Sequence, residues 1–376
     1  MSRKRILFVV NVDWFLVSHR LMLCQQCIED GYEVYVSCRD TGRVNEIKDI
    51  GASFIDLPLD RSGTNVFQEL SSLWFFIKLY KKVKPDVIHH ITLKPVVYGS
   101  LAARMLSIPV VNAISGLGYN LSQEKQSFSK RIMLALMRIG FKNKSLTCIF
   151  QNKDDYEAML NAKVISKRNR IEFIKGVGVD LNQYSFSEPL HKEKLEIILP
   201  ARMLWDKGIL EFKKAADILF EKYQNKIQFK LLGLADTDNK AGADQEVLNS
   251  WKIEGYFAWH SFEEDMIGAY RRSDIVVLPS YREGMPKSLI EACAVGRPIV
   301  TTTAIGCKEC VDEGINGYKV EVRNHEQLAS AIKALIDSEQ DRKKMGAEGR
   351  KKAEREFDVK NVISRHMRIY SERIDG

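Results

Sequence analysis

The sequence has no long apolar run and no paired cysteine framework. The first apolar stretch, residues 6–10, is broken by Asn11 and Asp13, so it is too short for a signal peptide. No other segment approaches the ~18 uncharged apolar residues that a membrane-spanning helix needs. The seven cysteines are odd in number and scattered from Cys24 to Cys310, unlike those of a small secreted domain. We therefore expect a protein of the reducing cytoplasm, either dissolved or attached to a membrane surface.

Motifs for a dinucleotide or a metal are also missing. No G-x-G-x-x-G follows the first predicted strand, which argues against a nicotinamide-dependent dehydrogenase. Cys24-x-x-Cys27 and Cys307-x-x-Cys310 have metal-ligand spacing, but each pair lies alone in an apolar or turn context, which favours structural thiols over zinc. The D-x-D that begins at Asp236 lies in a polar loop and is interpreted as a turn. We expect no metal and no cofactor.

Length and charge indicate two unequal halves. With 376 residues the chain exceeds the length at which a single core stops growing, so two domains are expected. Its 45% hydrophobic and 28% charged content is that of an ordinary globular protein. Residues 1–185 contain 26 Lys and Arg against 17 Asp and Glu, whereas the remainder contains 31 against 32. An acidic partner is therefore expected to dock on the first half.

Apolar strands alternate with helical patterns through both halves, which predicts an α/β protein with parallel, doubly wound sheets. The opening is a βαβ unit with an open loop over residues 11–15 and a helix over 16–30. The predicted strands of the first half are 5–10, 32–38, 53–57, 87–90, 110–113 and 148–151. Those of the second half are 196–199, 229–232, 274–278, 298–302 and 317–320, followed by a last helix over 359–374.

The most informative stretch is residues 281–292, which follow an apolar run. It predicts a buried strand, a Gly/Pro turn and a helix that begins at Pro286. Glu283 lies in the turn, and Glu291 lies one and a half turns into the helix on the same face as Lys287. Both carboxylates should face the carboxyl end of a parallel strand, where α/β sheets bind ligands and a helix N-terminus attracts anions.

This stretch resembles the E-x7-E signature of glycosyltransferase family 4, whose members are retaining nucleotide-sugar enzymes with the GT-B fold. The resemblance implies that Glu283 touches the hydroxyls of the donor sugar and that Glu291 bonds the ribose of the nucleotide. Charge-assisted hydrogen bonds to these hydroxyls favour glutamate over glutamine. The implied donor-binding residues are Arg202, Lys207, His260, Glu283, Gly284, Met285, Pro286, Lys287 and Glu291.

Residues 199–208 match the family's G-R-x5-K-G pattern, with Ala201 in place of the glycine. The resemblance implies that Arg202 and Lys207 hold the donor diphosphate. A guanidinium and an ammonium can neutralise the leaving group without a divalent metal. Since no protein nucleophile is evident, the resemblance implies front-face attack, in which Glu283, Arg202 and Lys207 are the catalytic residues and act by positioning and charge.

The resemblance covers nearly the whole chain and implies two Rossmann-like domains facing a cleft. It assigns residues 1–185 to an acceptor-binding domain and residues 186–356 to a donor-binding domain. The last helix, in residues 357–376, is expected to cross back onto the first domain. Residues 174–184 resemble the family's linker, although Gly176 and Gly178 replace the commoner Asn-Gly.

The first domain departs from the family at one position. Ser115 stands where many members have a histidine that faces the donor sugar, so no histidine role is transferred. Several residues of this domain are candidates for the cleft, although a structural role is an alternative for each. These candidates are Asp13, His19, His90, Lys94, Ser115 and Gly116.

Residues 125–144 contain six cations, no acid and an apolar stripe. Such a helix can lie on an anionic membrane, with Lys130, Arg131 and Arg138 as contacts. The alternative is an ordinary helix whose apolar face packs on the sheet, and residues 74–84 are a second candidate for the membrane. The subfamily that the chain resembles builds bacterial surface glycans on polyprenyl diphosphate carriers.

The leading hypothesis is a retaining glycosyltransferase of the hexosyltransferase type. It would move a sugar from a nucleotide sugar, UDP by resemblance, to a polyprenyl-diphosphate-linked glycan acceptor at the inner face of the cytoplasmic membrane. One alternative is a GT-B sugar-nucleotide 2-epimerase, whose catalytic carboxylate and histidine are not identified in the sequence. The other is a nucleic-acid-binding protein, suggested by the pI of 8.9 but without a nucleic-acid-binding motif. We expect no nucleic-acid partner.

Overall fold

The chain forms two compact units, each built around one parallel sheet. The computed structural model describes residues 3–58, 66–116, 128–190, 192–236, 239 and 241–375. The first unit comprises residues 1–177 and 360–376, and the second comprises residues 178–359. The boundary expected after residue 185 therefore falls inside the segment that belongs to the second unit.

The sheet of the first unit has seven parallel strands in the order β3-β2-β1-β4-β5-β6-β7. The strands are β1 Arg5–Val12, β2 Glu33–Arg39, β3 Ser53–Asp56, β4 Val87–His90, β5 Val110–Ile114, β6 Leu146–Phe150 and β7 Arg170–Phe173. The direction of strand order reverses between β1 and β4, which creates a switch point at their carboxyl ends. The predicted doubly wound sheet is confirmed, although the edge strand β7 was not predicted.

Helices flank this sheet. They are α1 Asp13–Glu29, α2 Val44–Asp49, α3 Val66–Val83, a π-helix Pro95–Gly99, α4 Ser100–Met105, α5 Phe128–Gly140 and α6 Lys153–Asn161. The open loop predicted over residues 11–15 is wrong, because β1 extends to Val12 and α1 begins at Asp13. The carboxylate of Asp13 accepts hydrogen bonds from the N–H groups of Trp14, Thr41 and Arg43. These bonds allow an acid to be buried in the first turn, where its charge also favours the helix dipole.

The sheet of the second unit has six parallel strands in the order β10-β9-β8-β11-β12-β13. The strands are β8 Leu195–Pro200, β9 Ile227–Leu232, β10 Phe257–His260, β11 Ile275–Leu278, β12 Ile299–Thr302 and β13 Gly317–Val320. Their buried side chains are mostly apolar, as expected for strands covered on both sides. They include the aromatic Phe229 and Phe257, and the polar exceptions are Glu196, Thr301 and Thr302. The switch point of this sheet lies between β8 and β11.

The helices of the second unit begin and end at recognisable signals. They are α7 Ile209–Tyr223, α8 Gln245–Ser250, α9 Met266–Arg272, α10 Lys287–Val295, α11 His325–Asp337 and α12 Glu339–Lys352. Asp265, Asn324 and Ser338 each accept a hydrogen bond from an N–H in the first turn of the helix that follows. Gly296 ends α10 with a φ of 82°, a left-handed conformation that favours glycine.

The last helix, α13 Val359–Ile374, packs against the first unit. The hydroxyl of Tyr370 lies 2.5 Å from Nδ1 of His89 in β4. Arg373 donates to the hydroxyl of Thr147 in β6 at 2.7 Å. The expected return of the C-terminal helix to the first domain is thus confirmed. Among the residues described, no helix has the length and apolarity to cross a bilayer.

Candidate functional site

At the carboxyl end of the second sheet, the loops after β8 and β11 meet. The N–H of Tyr281 donates to the carbonyl of Asp206 at 2.9 Å, and the hydroxyl of Ser280 donates to the same carbonyl at 3.1 Å. This pairing brings Nζ of Lys207 to 2.5 Å from Oε1 of Glu283. The side chains are 18% and 14% exposed, so the ion pair is only partly open to water. Two residues far apart in sequence therefore form one polar centre at the switch point of the sheet.

Two glycines permit this close packing. Gly208, the glycine of the K-G pair, has a φ of 73°, and a Cβ there would clash with the carbonyl of Pro279. Gly306 has a φ of 83°, and a Cβ there would clash with the carbonyl of Glu283. The N–H of Glu283 also donates to the carbonyl of Ile305 at 2.9 Å. Both positions need a left-handed backbone and no side chain, which only glycine combines at little cost.

Arg202 is held by an acidic residue in the loop after the neighbouring strand β9. Its Nη1 donates to Oδ2 of Asp236, after β9, at 2.7 Å. The N–H of Met203 donates to the carbonyl of Leu234 at 2.9 Å, which ties the two loops together. The sequence predicts only a turn at Asp236 and does not reveal this partnership. The one available signal was an acid placed shortly after the strand that pairs with β8.

Asp206 is a second residue that sequence analysis missed. Its Oδ1 is buried and has no hydrogen-bond partner within the described part of the chain. Burial raises the pKa of this carboxyl, the charge of Lys207 lowers it, and the charge of Glu283 raises it again. Asp206 therefore belongs to the same electrostatic cluster as Arg202, Lys207 and Glu283.

Glu291 is buried on α10, one turn beyond Lys287. Pro286 is extended, with a ψ of 116°, so the helix begins at Lys287 and not at Pro286 as predicted. Nζ of Lys287 lies 3.0 Å from Oε1 of Glu291, as the helical spacing predicts. The hydroxyl of Tyr270 donates to Oε2 at 3.0 Å. Tyr270 is a further partner that the sequence pattern did not reveal.

The other predicted donor residues surround this centre. His260 ends β10 and is exposed. Gly284 and Met285 are buried in the turn between Glu283 and α10, and Met285 contacts the sulfur of Cys310 at 3.4 Å. The predicted residues are thus arranged around the carboxyl end of one sheet, where Lys207 from the loop after β8 pairs with Glu283 from the turn before α10.

Two candidates of the first unit lie in its core and not at an exposed edge. Asp13 is fully buried, and its oxygens are taken by the main chain around Thr41. His90 is also fully buried, with Nδ1 2.8 Å from Oδ1 of Asn112 and Nε2 2.7 Å from the hydroxyl of Tyr80. Burial lowers the pKa of His90 to about 4, so the ring is neutral. For Asp13 and His90, the structure therefore favours a structural role over a role in the cleft.

The remaining candidates of this unit are partly exposed. His19 stacks on Phe15 with ring centroids 4.1 Å apart, and its Nδ1 lies 2.6 Å from the hydroxyl of Ser18. Lys94 precedes the π-helix that follows β4, and Ser115 and Gly116 follow β5. Lys94, Ser115 and Gly116 thus follow the carboxyl ends of strands, whereas His19 lies in the second turn of α1.

Helix α5 carries the predicted membrane contacts, and residues 125–127 lie outside the described part of the chain. Arg131 is exposed and Lys130 is half-buried. Arg138 is exposed too, but its Nη2 donates to the carbonyl of Ala162 at 2.8 Å, so it also caps the end of α6. Apolar side chains of α5 reach the surface as well: Ile132 is 42% exposed and Ile139 47%.

Possible metal ligands do not cluster in the described residues. No group of three or more His, Cys, Asp and Glu side chains there could hold a metal ion. The seven cysteines are buried and free. The pairs with metal-ligand spacing therefore lie in apolar surroundings, where burial raises the pKa of the thiols Cys24 and Cys310 well above the ordinary value.

Two family models match the chain, one in each unit. The model described as "Glycosyl transferase 4-like" matches residues 5–152, and the model described as "Glycosyl transferases group 1" matches residues 181–352. The second match contains the whole polar centre around Lys207, Glu283 and Glu291.

Curated relatives and solved structures agree with these matches. The N,N'-diacetylbacillosaminyl-diphospho-undecaprenol alpha-1,3-N-acetylgalactosaminyltransferase of Campylobacter jejuni is 28% identical over 97% of this chain and 98% of its own length. The UDP-Gal:alpha-D-GlcNAc-diphosphoundecaprenol alpha-1,3-galactosyltransferase of Escherichia coli is 23% identical over 81% of this chain and 80% of its own length. The crystal structure of Anabaena Alr3699/HepE in complex with UDP-glucose superposes with a TM-score of 0.78 and 18% identity, covering 98% of this chain and 99% of that one. The last likeness shows the fold alone.

Proposed function

Because the chain belongs to the family 4-type glycosyltransferases and has the GT-B fold, we propose that it moves a sugar from a nucleotide sugar to a polyprenyl-diphosphate-linked glycan acceptor, with retention of anomeric configuration. The observation that carries the proposal is the ion pair of Lys207 and Glu283 at the switch point of the second sheet. A UDP sugar is the proposed donor, since the name of the E. coli relative includes UDP-Gal.

In the proposed reaction, the donor diphosphate takes the place of the carboxylates that now hold the cations. Lys207 pairs with Glu283, and Arg202 pairs with Asp236. A diphosphate carries more negative charge than either acid and lies near the N-terminus of α10, where the helix dipole favours anions. Once Lys207 turns to the diphosphate, the carboxylate of Glu283 becomes available to the hydroxyls of the donor sugar.

The chain's own cations stabilise the leaving group in this proposal. As the bond between the sugar and the diphosphate breaks, negative charge grows on the diphosphate oxygens. Arg202 and Lys207 already lie in a partly buried site, where their charges are less screened than in water. The acceptor hydroxyl attacks from the same face, and its proton passes to the departing diphosphate. We therefore propose a reaction independent of divalent metal, which should survive EDTA.

The acceptor is proposed from the relatives and from the surface of the first unit. Both relatives named above act on diphosphoundecaprenol-linked sugars by their names. Helix α4 packs between α3 and α5, and the exposed side chains of these helices include Trp74, Met105, Ile132 and Ile139. Nζ of Lys78 lies 3.3 Å from the ring centroid of Trp74. Apolar and cationic groups on one helical layer favour contact with an anionic membrane surface, where such an acceptor resides.

The test is turnover with a panel of nucleotide sugars, each with and without a polyprenyl-diphosphate-linked glycan. The proposal expects a lipid product heavier by one sugar, an anomeric configuration equal to that of the donor, and equal rates with and without EDTA. An inverted product would contradict retention, and loss of activity in EDTA that magnesium restores would contradict metal independence. A change of the nucleotide sugar without acceptor would instead identify an epimerase.

A further inference from the structure

The two carboxylate oxygens of Glu291 have partners of different burial. Oε2 accepts a hydrogen bond at 3.0 Å from the hydroxyl of Tyr270, which is fully buried. Oε1 lies 3.0 Å from the ammonium of Lys287, whose side chain is 31% exposed. Oε2 is thus anchored in the core, whereas Oε1 faces a partner that can swing into solvent.

A second tyrosine lies beside the same carboxylate. Tyr184, in the segment that opens the second unit, is close enough to Glu291 for the charge of that carboxylate to raise the pKa of the Tyr184 phenol. Its ring packs edge to face on that of Tyr270, with centroids 6.3 Å apart. Burial, together with the charge of Glu291, raises the pKa of both phenols above the ordinary value. Both hydroxyls therefore keep their protons at neutral pH, and that of Tyr270 donates to the carboxylate.

Arginines fix the main chain on either side of this contact. Nη1 of Arg350 donates to the carbonyl of Tyr184 at 3.0 Å and to a carbonyl in the last turn of α10 at 2.9 Å. Nε of the fully buried Arg297 donates to the carbonyl of Tyr270 at 3.0 Å. The segments that carry the two tyrosines are thus fastened to the helix that carries Glu291, or to the residues just after it.

We propose that Tyr270 holds Oε2 of Glu291 and that Tyr184 assists it from beside the same carboxylate, both as positioning residues, so that Oε1 can bond the ribose hydroxyls of the donor nucleotide. This inference rests on the proposed function, which places the donor ribose at Glu291. The fixed orientation of Glu291 makes the site selective for ribonucleotides over deoxyribonucleotides, because a carboxylate held in one orientation can bond hydroxyls in only one position. Without either phenol the charge remains but the orientation is lost.

The experiment compares the Kd values of UDP, GDP and ADP with those of their 2′-deoxy counterparts by calorimetry. The variants are Tyr270→Phe, Tyr184→Phe and Glu291→Ala. The matched control is Tyr223→Phe, which removes a hydroxyl that donates to Asp337 elsewhere in the same unit. For the base that binds, the parent and the control should prefer the ribonucleotide by roughly tenfold, the effect of a hydrogen bond to a charged group. In the three variants the preference should fall below about threefold.

A merely structural role for the tyrosines would weaken both nucleotides equally and leave the preference unchanged, which would overturn the inference. If the preference survives in the tyrosine variants but disappears in Glu291→Ala, the proposed donor site stands and only the positioning role fails. If Glu291→Ala also keeps the preference, or if the parent has none, the placement of the ribose at Glu291 falls with it. If Tyr270→Phe fails to fold, the ribonucleotide preference of Tyr184→Phe, at a half-buried tyrosine, tests the same inference.

Discussion

The ammonium of Lys207 and the carboxylate of Glu283 lie 2.5 Å apart, although 76 residues separate them in sequence. Each is expected to serve a different part of the donor, Lys207 the diphosphate and Glu283 the sugar. The pair therefore keeps both side chains ordered before the donor arrives and is exchanged for contacts with the donor afterwards. Because of this exchange, removal of the Glu283 charge should lower turnover without weakening nucleoside diphosphate binding.

Glu283→Gln should lower kcat by about 100-fold, because the amide cannot supply the charge that the sugar hydroxyls meet in the transition state. Affinity for the nucleoside diphosphate should stay equal or rise, since Lys207 loses a competing anion. Steady-state kinetics and calorimetry on the same variant measure both effects. Glu264→Gln, at an exposed glutamate of the same unit, is the control. A normal kcat in Glu283→Gln would show that Glu283 has only a structural role.

Arg202→Ala and Glu291→Ala should each weaken binding of the nucleoside diphosphate by about 1.5 to 3 kcal/mol. The first leaves diphosphate charge uncompensated, and the second removes hydrogen bonds to the ribose. Arg272→Ala removes an exposed arginine paired with Glu263 at 3.4 Å and controls for loss of a cation from this unit. Unchanged affinity in both variants, measured by calorimetry, would remove the donor site from this edge of the sheet.

The buried imidazole of His90 should make stability depend on pH. Its pKa is about 4 in the folded chain, against ~6.5 when unfolded, because burial disfavours the charged ring. As pH drops below about 6.5, the imidazole becomes protonated in the unfolded chain while it stays neutral in the folded chain. The free energy of unfolding therefore falls, by about 1.4 kcal/mol per pH unit for this group. His90→Gln should flatten the slope by that amount between pH 6 and 5 in urea unfolding. An unchanged slope would contradict a buried, neutral His90.

Lys130→Gln with Arg131→Gln should weaken sedimentation with anionic vesicles at low salt, because each cation near such a surface contributes roughly 1 kcal/mol. Arg138 is left intact, since it also bonds the carbonyl of Ala162. Donor binding should be unaffected, as the donor site belongs to the other unit. The control replaces the exposed Lys167 and Arg168 by glutamine. If the α5 variant sediments like the parent, the lipid contact lies elsewhere, with Trp74 on α3 the next segment to change.

The sequence predicted what local patterns determine. Apolar runs predicted the parallel strands, and the G-R-x5-K-G and E-x7-E spacings placed Arg202, Lys207, Glu283 and Glu291 at the carboxyl end of one sheet. The family models confirm the glycosyltransferase family. The solved structure of similar fold confirms the GT-B architecture. Each of these features depends on residues that are close in sequence or on a recurring motif.

What the sequence missed depends on partners distant along the chain. His90 was a candidate for the cleft, but Tyr80 and Asn112 satisfy its ring nitrogens inside the core. Asp236 contacts Arg202 only because the loops after β8 and β9 are neighbours in the folded sheet. No local pattern distinguishes such a carboxylate from one in a solvated turn. Their roles follow from contacts and not from residue type.

The most direct measurement of the central claim is release of nucleoside diphosphate from a panel of nucleotide sugars, with and without a polyprenyl-diphosphate-linked glycan, by the parent and by Lys207→Ala. The account predicts release by the parent that depends on the acceptor and falls by at least about 100-fold in the variant, because the leaving diphosphate loses its ammonium partner. Release that is equal in parent and variant, or no release with any sugar nucleotide and acceptor, would contradict it.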